Sequence, residues 1–490
     1  MSLLNRHRDA ATEIPTLRHI IAGSADNGQS AGTYEHVNPA TGQVQAVVPL
    51  AGAREVDAAV AAARAAFPAW RTTSPEKRRS ILERLAVLIG ENSEQLARVS
   101  ALEFGGVLAF TRHLASLSRQ FTNYYAGWAD KLEGQVITHD DESGFVYTIP
   151  EPLGVIAVIV TWNGPIISLG MKVIPALAAG NTVVLKPAEI APFSSQMFLE
   201  LARQAGVPDG VINLVHGGVE AGTALTGHPG IAKITFTGGA TTAHRILEAA
   251  APNLTPALLE LGGKSANLVF ADADLDAACA HTTLTGLANA GQGCALPTRV
   301  LVEDSAYNDF VARLEASVSA LAVGDPLDAQ TIVGPVISRA SSERILGIVD
   351  EATSTGAGRI VTGGKRMNGE LDSGWFVAPT VLADVDPNSS VAQKEIFGPV
   401  ISVMRFKSEE EAVALANGTG YGLSAYIQSG DAGRVRRLIG QLRSGTVGVN
   451  GGAPLTYNAP FGGLGLSGYG KEGGKAGIDE FLHMKTVLVR

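Results

Sequence analysis

The segment VIAVIVTWNGP, residues 155–165, opens with six consecutive apolar residues and closes in a polar, glycine-bearing turn. A run of this length without alternation fits a strand buried on both faces, and it is far too short to span a bilayer. Outward from it the same unit recurs. A helical stretch ends near Gly180, Thr182–Leu185 reads as the next strand, a helix follows near Ser194–Gln204, and Val211–Val215 and Ile234–Phe236 read as further strands. Short apolar strands alternating with helices imply a parallel sheet covered on both faces, whose ligands sit at the strands' carboxyl ends. After Gly262 the alternation resumes, with strands at Asn267–Phe270, Val300–Val302, Ile401–Phe406, Ala425–Gln428 and Thr446–Val449 and helices at Tyr307–Ala320 and Ser341–Gly356. These imply a second α/β domain.

Toward the N-terminus, Val56, Val60, Ala63 and Phe67 repeat at helical spacing, and Ser74 before Pro75 and Glu76 reads as the N-cap of a second helix carrying Ile81, Leu85 and Leu88. The aromatic NYYAGWADK (123–131) packs under a bend, and the following EGQVITHDDESGFVYTI has strand-like ends, as in a projecting hairpin. Residues 451–474 are dense in glycine without periodicity and read as a long functional loop, and the tail MKTVLVR reads as an edge strand that needs a cover.

Composition narrows the classes. The 490 residues suffice for two or three domains, and a net charge of −9 disfavours nucleic acid and anionic membrane as partners. His216, His228, His244 and His281 lack metal-ligand spacing, so no metal is expected. Two cysteines make no disulfide framework, which fits a reducing compartment. The opening MSLLNRHRDAATEIP has no long apolar run after its basic residues, and a cytoplasmic location is the expectation.

One of those cysteines, Cys294, lies in ANAGQGCALPTR (288–299), among small residues where a substrate can reach it; Cys279, in the helical DLDAACAH, reads as a core residue. Cys294 alone is as well explained by structure as by nucleophilic chemistry. Its possible partners lie far off in sequence. Asn163, in TWNGP, offers an amide at a strand's carboxyl end to a developing oxyanion, or is simply a turn former. Glu260, in LELGGKS, can activate water, or is a solvated surface acid. GNTVVLKPAE (180–189) ends in Lys186 and Glu189, where an acid can accept ribose hydroxyls, and FTGGATTA (236–243) has the strand–glycine–helix order that holds a phosphate.

With these residues in view the chain resembles the aldehyde dehydrogenase superfamily over almost its whole length. TWNGP, LKPAE, FTGG, ELGGKS, GQGC, EIFGPV (395–400) and PFGG (460–463) occur in the family's order. The resemblance implies a Rossmann-like coenzyme-binding domain (1–131 and 153–261), an α/β catalytic domain (262–474) and a small β oligomerisation arm (132–152 and 475–490), in a homodimer or homotetramer. It implies Cys294 as nucleophile, Asn163 and the Cys294 N–H as oxyanion donors, Glu260 as the base for hydrolysis and Lys172 in proton handling. On the coenzyme side it implies Lys186 and Glu189 at the adenine ribose, Thr161, Trp162, Gly238 and Gly239 toward the pyrophosphate, Glu395 at the nicotinamide ribose and Phe397 beside the ring. Glu189 favours NAD, because a 2′-phosphate would face a like charge; a turned side chain admits NADP. Glu260 argues against a coenzyme A-acylating relative, and the intact set of Cys294, Asn163 and Glu260 against a catalytically silent binding protein.

Several positions depart from the family pattern. Gly239 replaces a serine, Ala243 a glycine, and Gly465 a lysine for which the sequence offers no account. Gly164 and Gly293 replace bulky residues beside the nucleophile, which would widen the substrate tunnel for an apolar aldehyde, aromatic and branched forms included; alternatively, neighbouring side chains fill the space. Leu455, Tyr457 and Phe461 match the substrate-lining loop.

Overall fold

The computed structural model describes residues 2–138, 144–452 and 455–490. Residues 139–143 of the expected hairpin and 453–454 of the glycine-rich loop lie outside the described residues. The apolar segment of the opening motif forms the strand Val155–Ile159, fully buried, at the centre of an eight-stranded sheet. Thr182–Lys186 and then Ile212–Leu214 pair on one side of it; Lys233–Gly238 and then Ala257–Leu261 pair on the other, all parallel. The chain therefore reverses its direction of travel across the sheet beside Val155–Ile159, which is where an open α/β sheet leaves a crevice at its carboxyl edge. Helix Pro165–Ala178, buried along its whole length, packs behind this edge.

A seven-stranded sheet forms the second α/β unit. Its order is Arg359–Thr362, Thr380–Ala383, Val400–Phe406, Arg299–Glu303, Ala266–Val269, Ser424–Gln428 and Thr446–Val449, parallel except at the first pair. Helix Leu275–Gly286 covers one face and buries Cys279. A separate antiparallel sheet joins Leu482–Val489, Phe145–Pro152 and Val136–Ile137. Several of its apolar side chains face solvent, among them Val136, Phe145 and Leu488. Among the described residues no helix is long and apolar enough to cross a membrane.

The sequence reading omitted some elements. Helices Ser93–Phe104 and Leu108–Ala126 and the strands His19–Ile21 and Ser24–Asp26, which extend the first sheet, carry no clean period. The glycine-rich segment is also more ordered than a free loop. Gly468–Tyr469 pairs antiparallel with Leu259 and Glu260, so this segment crosses back to the first sheet. Gly465 has φ +60°, and a Cβ there would lie 2.6 Å from the Gly420 carbonyl oxygen, which accounts for glycine at that position.

Helix Phe193–Gln204, behind the eight-stranded sheet, has no cap from its own preceding residue. Its first N–H groups are met instead by Glu103, ninety residues earlier. The buried carboxylate accepts the Phe193 and Ser194 N–H groups and the Ser194 hydroxyl, the last two at 3.1 and 2.6 Å. Burial nevertheless pushes its pKa up to about 7, against the pull of those hydrogen bonds. A folded-state value above the ordinary one means that its contribution is fullest below the unfolded pKa and declines as pH rises through 7. Glu103→Gln stays uncharged. Between about pH 5 and pH 8 the stability difference between parent and variant should therefore shift in the variant's favour, measured by urea midpoints across pH.

Candidate active site

The carboxyl edge of the first sheet opens into a cavity of about 310 Å³ lined by Thr161, Trp162, Lys186, Glu189, Gly238 and Gly239. Six residues expected on the coenzyme side thus share one wall system. Lys186 is buried, and its Nζ donates to the Pro187 and Gly217 carbonyls at 3.1 and 2.5 Å. Burial lowers its pKa, while the Glu189 carboxylate pulls the other way. Gly239 starts helix Ala240–Ala250 without a side-chain cap, and a Cβ at that position would meet nothing within 4 Å. Free helix N–H groups beside open space fit a phosphate of a dinucleotide. Phe397 comes from the second unit and packs edge-on against Trp162, with centroids 5.2 Å apart. Its φ of +51° is an uncommon conformation for an aromatic residue, of the kind retained where the surroundings demand it. Glu395, beside it, accepts the Gly263 N–H at 2.9 Å, and burial raises its pKa to about 7.

The cysteine loop is a left-handed turn. Asn289, Ala290 and Gly291 have φ of +49°, +53° and +71° in succession. Each non-glycine residue in that region costs about 1–2 kcal/mol, so the turn persists because its surroundings hold it. The side chain of Gln292 donates to the Asn289 carbonyl at 2.9 Å and accepts the Ile337 N–H at 2.9 Å. The Gln292 carbonyl accepts the amides of Asn163 and Asn289 at 3.0 and 3.2 Å. Asn163 is oriented in turn by the Thr161 hydroxyl, which donates to its Oδ1 at 3.0 Å. Backbones meet where only glycine fits: a Cβ on Gly263 would collide with the Cys294 carbonyl, and one on Gly291 with the Gly398 carbonyl. The Tyr426 hydroxyl donates to the Ala295 carbonyl at 2.6 Å and closes the far side. Cys294 is left half-buried at the centre.

Glu260 ends the strand Ala257–Leu261 and is 3% exposed, which overturns the reading of a surface acid. Among the described residues its Oε1 has no hydrogen-bond partner. Burial first, then the neighbouring Glu472, raises its pKa well above the usual carboxylate range, opposed by Lys172 and Lys471. Lys172 is fully buried on helix Pro165–Ala178; its Nζ pairs with Glu472 and donates to the Thr235 hydroxyl at 3.0 Å. The Cys294 thiol is pushed well above its ordinary range by burial and by the charges of Glu260 and Glu395.

Glu472 escaped the sequence reading. It stands in the unpatterned YGKEGG, and its partner Lys172 is 300 residues away. The expected widening at Gly164 and Gly293 is corrected by their neighbours. A Cβ at 164 would already meet Ile167 and Leu114 at 3.3 and 3.4 Å, and one at 293 would meet Leu296 at 2.8 Å. Leu455 and Tyr457 are half-buried against the main core, and Tyr457 packs on Tyr124 with centroids 5.6 Å apart. Phe461 is different: it is 4% exposed, and its backbone exchanges hydrogen bonds with Glu472 at 2.6 and 2.7 Å. It braces that acid from within the core instead of lining an open wall.

A crevice at the sheet's carboxyl edge, with a thiol, an amide and a buried acid on neighbouring segments, has the parts of an oxidoreductase site, and comparison with known proteins agrees. The description of the aldehyde dehydrogenase family matches residues 26–487. An aldehyde dehydrogenase of Alternaria alternata is 40% identical over 462 residues, covering 94% of this chain and 92% of the relative. A betaine aldehyde dehydrogenase from Staphylococcus aureus, solved with NAD+, superposes with a TM-score of 0.96 at 34% identity, covering 99% and 97% of the two chains. An E. coli NADP-dependent enzyme superposes with a TM-score of 0.94 at 36% identity, covering 98% and 99%. The chain belongs to the aldehyde dehydrogenase family, with its Rossmann-like and catalytic α/β units.

The charges around the thiol give a direct check. Alkylation of Cys294 by iodoacetamide should rise with pH along a profile displaced above that of an ordinary thiol, because burial and the carboxylates of Glu260, Glu395 and Glu472 disfavour the thiolate. Glu260→Gln removes one of those charges and should displace the profile toward lower pH, read by mass spectrometry of the Cys294 peptide.

Proposed function

We propose that this protein oxidises an aldehyde to its carboxylic acid by way of a covalent Cys294 adduct, using NAD. The observation that carries the reading is the convergence of Cys294, Asn163 and Glu260 from three distant segments beside the crevice at the sheet's carboxyl edge. In this scheme the units holding the eight- and seven-stranded sheets act as coenzyme and catalytic domains. Lys186 and Glu189 would hold the adenine ribose, Gly238 and Gly239 the pyrophosphate, and Glu395 and Phe397 the nicotinamide end. Glu189 supports NAD over NADP through like-charge repulsion of a 2′-phosphate.

The Cys294 thiol gives up its proton to solvent, and the sulfur forms a bond to the aldehyde carbon. The carbonyl oxygen becomes an oxyanion, met by the Cys294 N–H and the second N–H of the Asn163 amide. A bound nicotinamide supplies the acceptor for the hydride leaving that carbon, and a thioester remains on Cys294. Glu260 then takes a proton from water, whose oxygen adds to the thioester carbon; the C–S bond breaks, and the sulfur regains a proton. Burial holds the Glu260 pKa above the ordinary carboxylate range, which makes its carboxylate a better base toward that water. The Lys172–Glu472 pair beside Glu260 gives its proton a route away from the thiol. Retention of Glu260 supports hydrolysis over acyl transfer to coenzyme A.

Leu114, Ile167, Leu296, Leu455 and Tyr457 support an aldehyde with an apolar body, aromatic or branched, though without the widened tunnel. The exposed apolar strands of the small sheet support its role as an arm covered by a second copy, in a homodimer or homotetramer.

Cys294→Ala should abolish aldehyde-dependent NADH formation, and Asn163→Ala should lower kcat by about 10²–10³-fold. Glu260→Gln should leave a rapid burst of NADH while slowing steady turnover; equal loss of both would contradict its hydrolytic role. For the substrate, kcat/KM is expected to be higher for benzaldehyde and long alkanals than for acetaldehyde, succinic semialdehyde or betaine aldehyde. A preference for any of the last three would overturn the apolar reading.

A further inference from the structure

The coenzyme crevice is bounded by two helices whose facing residues follow helical spacing. Val219, Gly222, Thr223 and Thr226 project from helix Val219–Thr226 at i, i+3, i+4 and i+7. Thr242, Arg245 and Ile246 project from helix Ala240–Ala250 at i, i+3 and i+4. Gly222 keeps the first wall low. Val219 is 72% exposed, an apolar side chain left uncovered on the rim of a cavity. The space between the walls suits a flat, largely apolar group with one hydrophilic face.

Arg245 is the unusual member of this slot. It is exposed, and among the described residues no carboxylate lies within the 4.0 Å of an ion pair. A free guanidinium in the wall of a slot for a planar group can lie over its π face and attract it electrostatically. We propose that Arg245 binds the adenine of the coenzyme by laying its guanidinium over the base, with Val219 and Gly222 on the opposite side. This rests on the reading of the crevice as a dinucleotide site. It makes Arg245 a binding residue for the adenosine end, with no part in the reaction at the thiol.

The test is binding, read by NADH fluorescence titration without substrate. Arg245→Leu keeps the aliphatic bulk and removes the charged plane; it should raise the Kd for NADH and NADPH by the same factor, about 3- to 30-fold. Binding of reduced nicotinamide mononucleotide, which has no adenine, should be unchanged. In turnover the KM for NAD should rise while kcat stays near the parent value. An unchanged Kd for NADH would overturn the proposal. So would a loss confined to NADPH, which would put the guanidinium on the 2′-phosphate. An unaltered melting temperature for the variant excludes unfolding as the cause of weaker binding. Failure of the unaltered protein to bind NADH would overturn the dinucleotide reading itself, together with this inference.

Discussion

The site depends on backbones that touch. Gly263 lies against the Cys294 carbonyl and Gly291 against the Gly398 carbonyl, at separations that exclude a Cβ. Through these contacts, the segment leaving the eight-stranded sheet, the cysteine loop and the segment carrying Glu395 and Phe397 lock into one another. A left-handed turn at Asn289 and Ala290 would relax if left to itself. It is held here because the Gln292 side chain and carbonyl are bonded on every side. Rigid placement of a thiol beside an amide donor avoids the cost of ordering them at the moment of reaction.

Around that frame the protein buries charge. Glu260, Glu472 and Lys172 sit together with almost no exposure, and Glu395 lies close by. Removing these groups from water costs free energy that one ion pair only partly offsets. The consequence is chemical: burial raises the pKa of Glu260 above the ordinary carboxylate range and that of Glu395 to about 7, and perturbed acids of this kind are suited to proton transfer. The same low-polarity setting discourages an ionised thiol, so Cys294 and Glu260 are electrostatically linked. Phe461 contributes indirectly, by fixing the backbone of Glu472 from inside the core.

Much of the architecture was legible in local pattern. Buried parallel strands such as Val155–Ile159 and Ala266–Val269 are unbroken apolar runs, and the Ser74–Pro75 helix start is written in its own residues. Edge strands were harder: Arg359–Thr362 is half solvated, and Gly468–Tyr469 is a strand only because Leu259 and Glu260 offer it a partner. Expected tunnel width at Gly164 and Gly293 failed for a similar reason. A missing side chain leaves room only if nothing else enters, and Leu114, Ile167 and Leu296 do enter.

What the chain determined by itself was the identity and order of its chemical groups: a thiol among glycines, an amide and an acid at strand ends, and strand–turn–helix units that make a crevice. These are local properties, set by side-chain chemistry and periodicity within a few residues. Only the tertiary structure decided that Lys172 meets Glu472 across 300 residues, that Glu260 is buried with no partner for one oxygen among the described residues, and that Arg245 and Val219 line one cavity. Desolvation and charge pairing depend on distances in space, and those exist only once the sheets have packed.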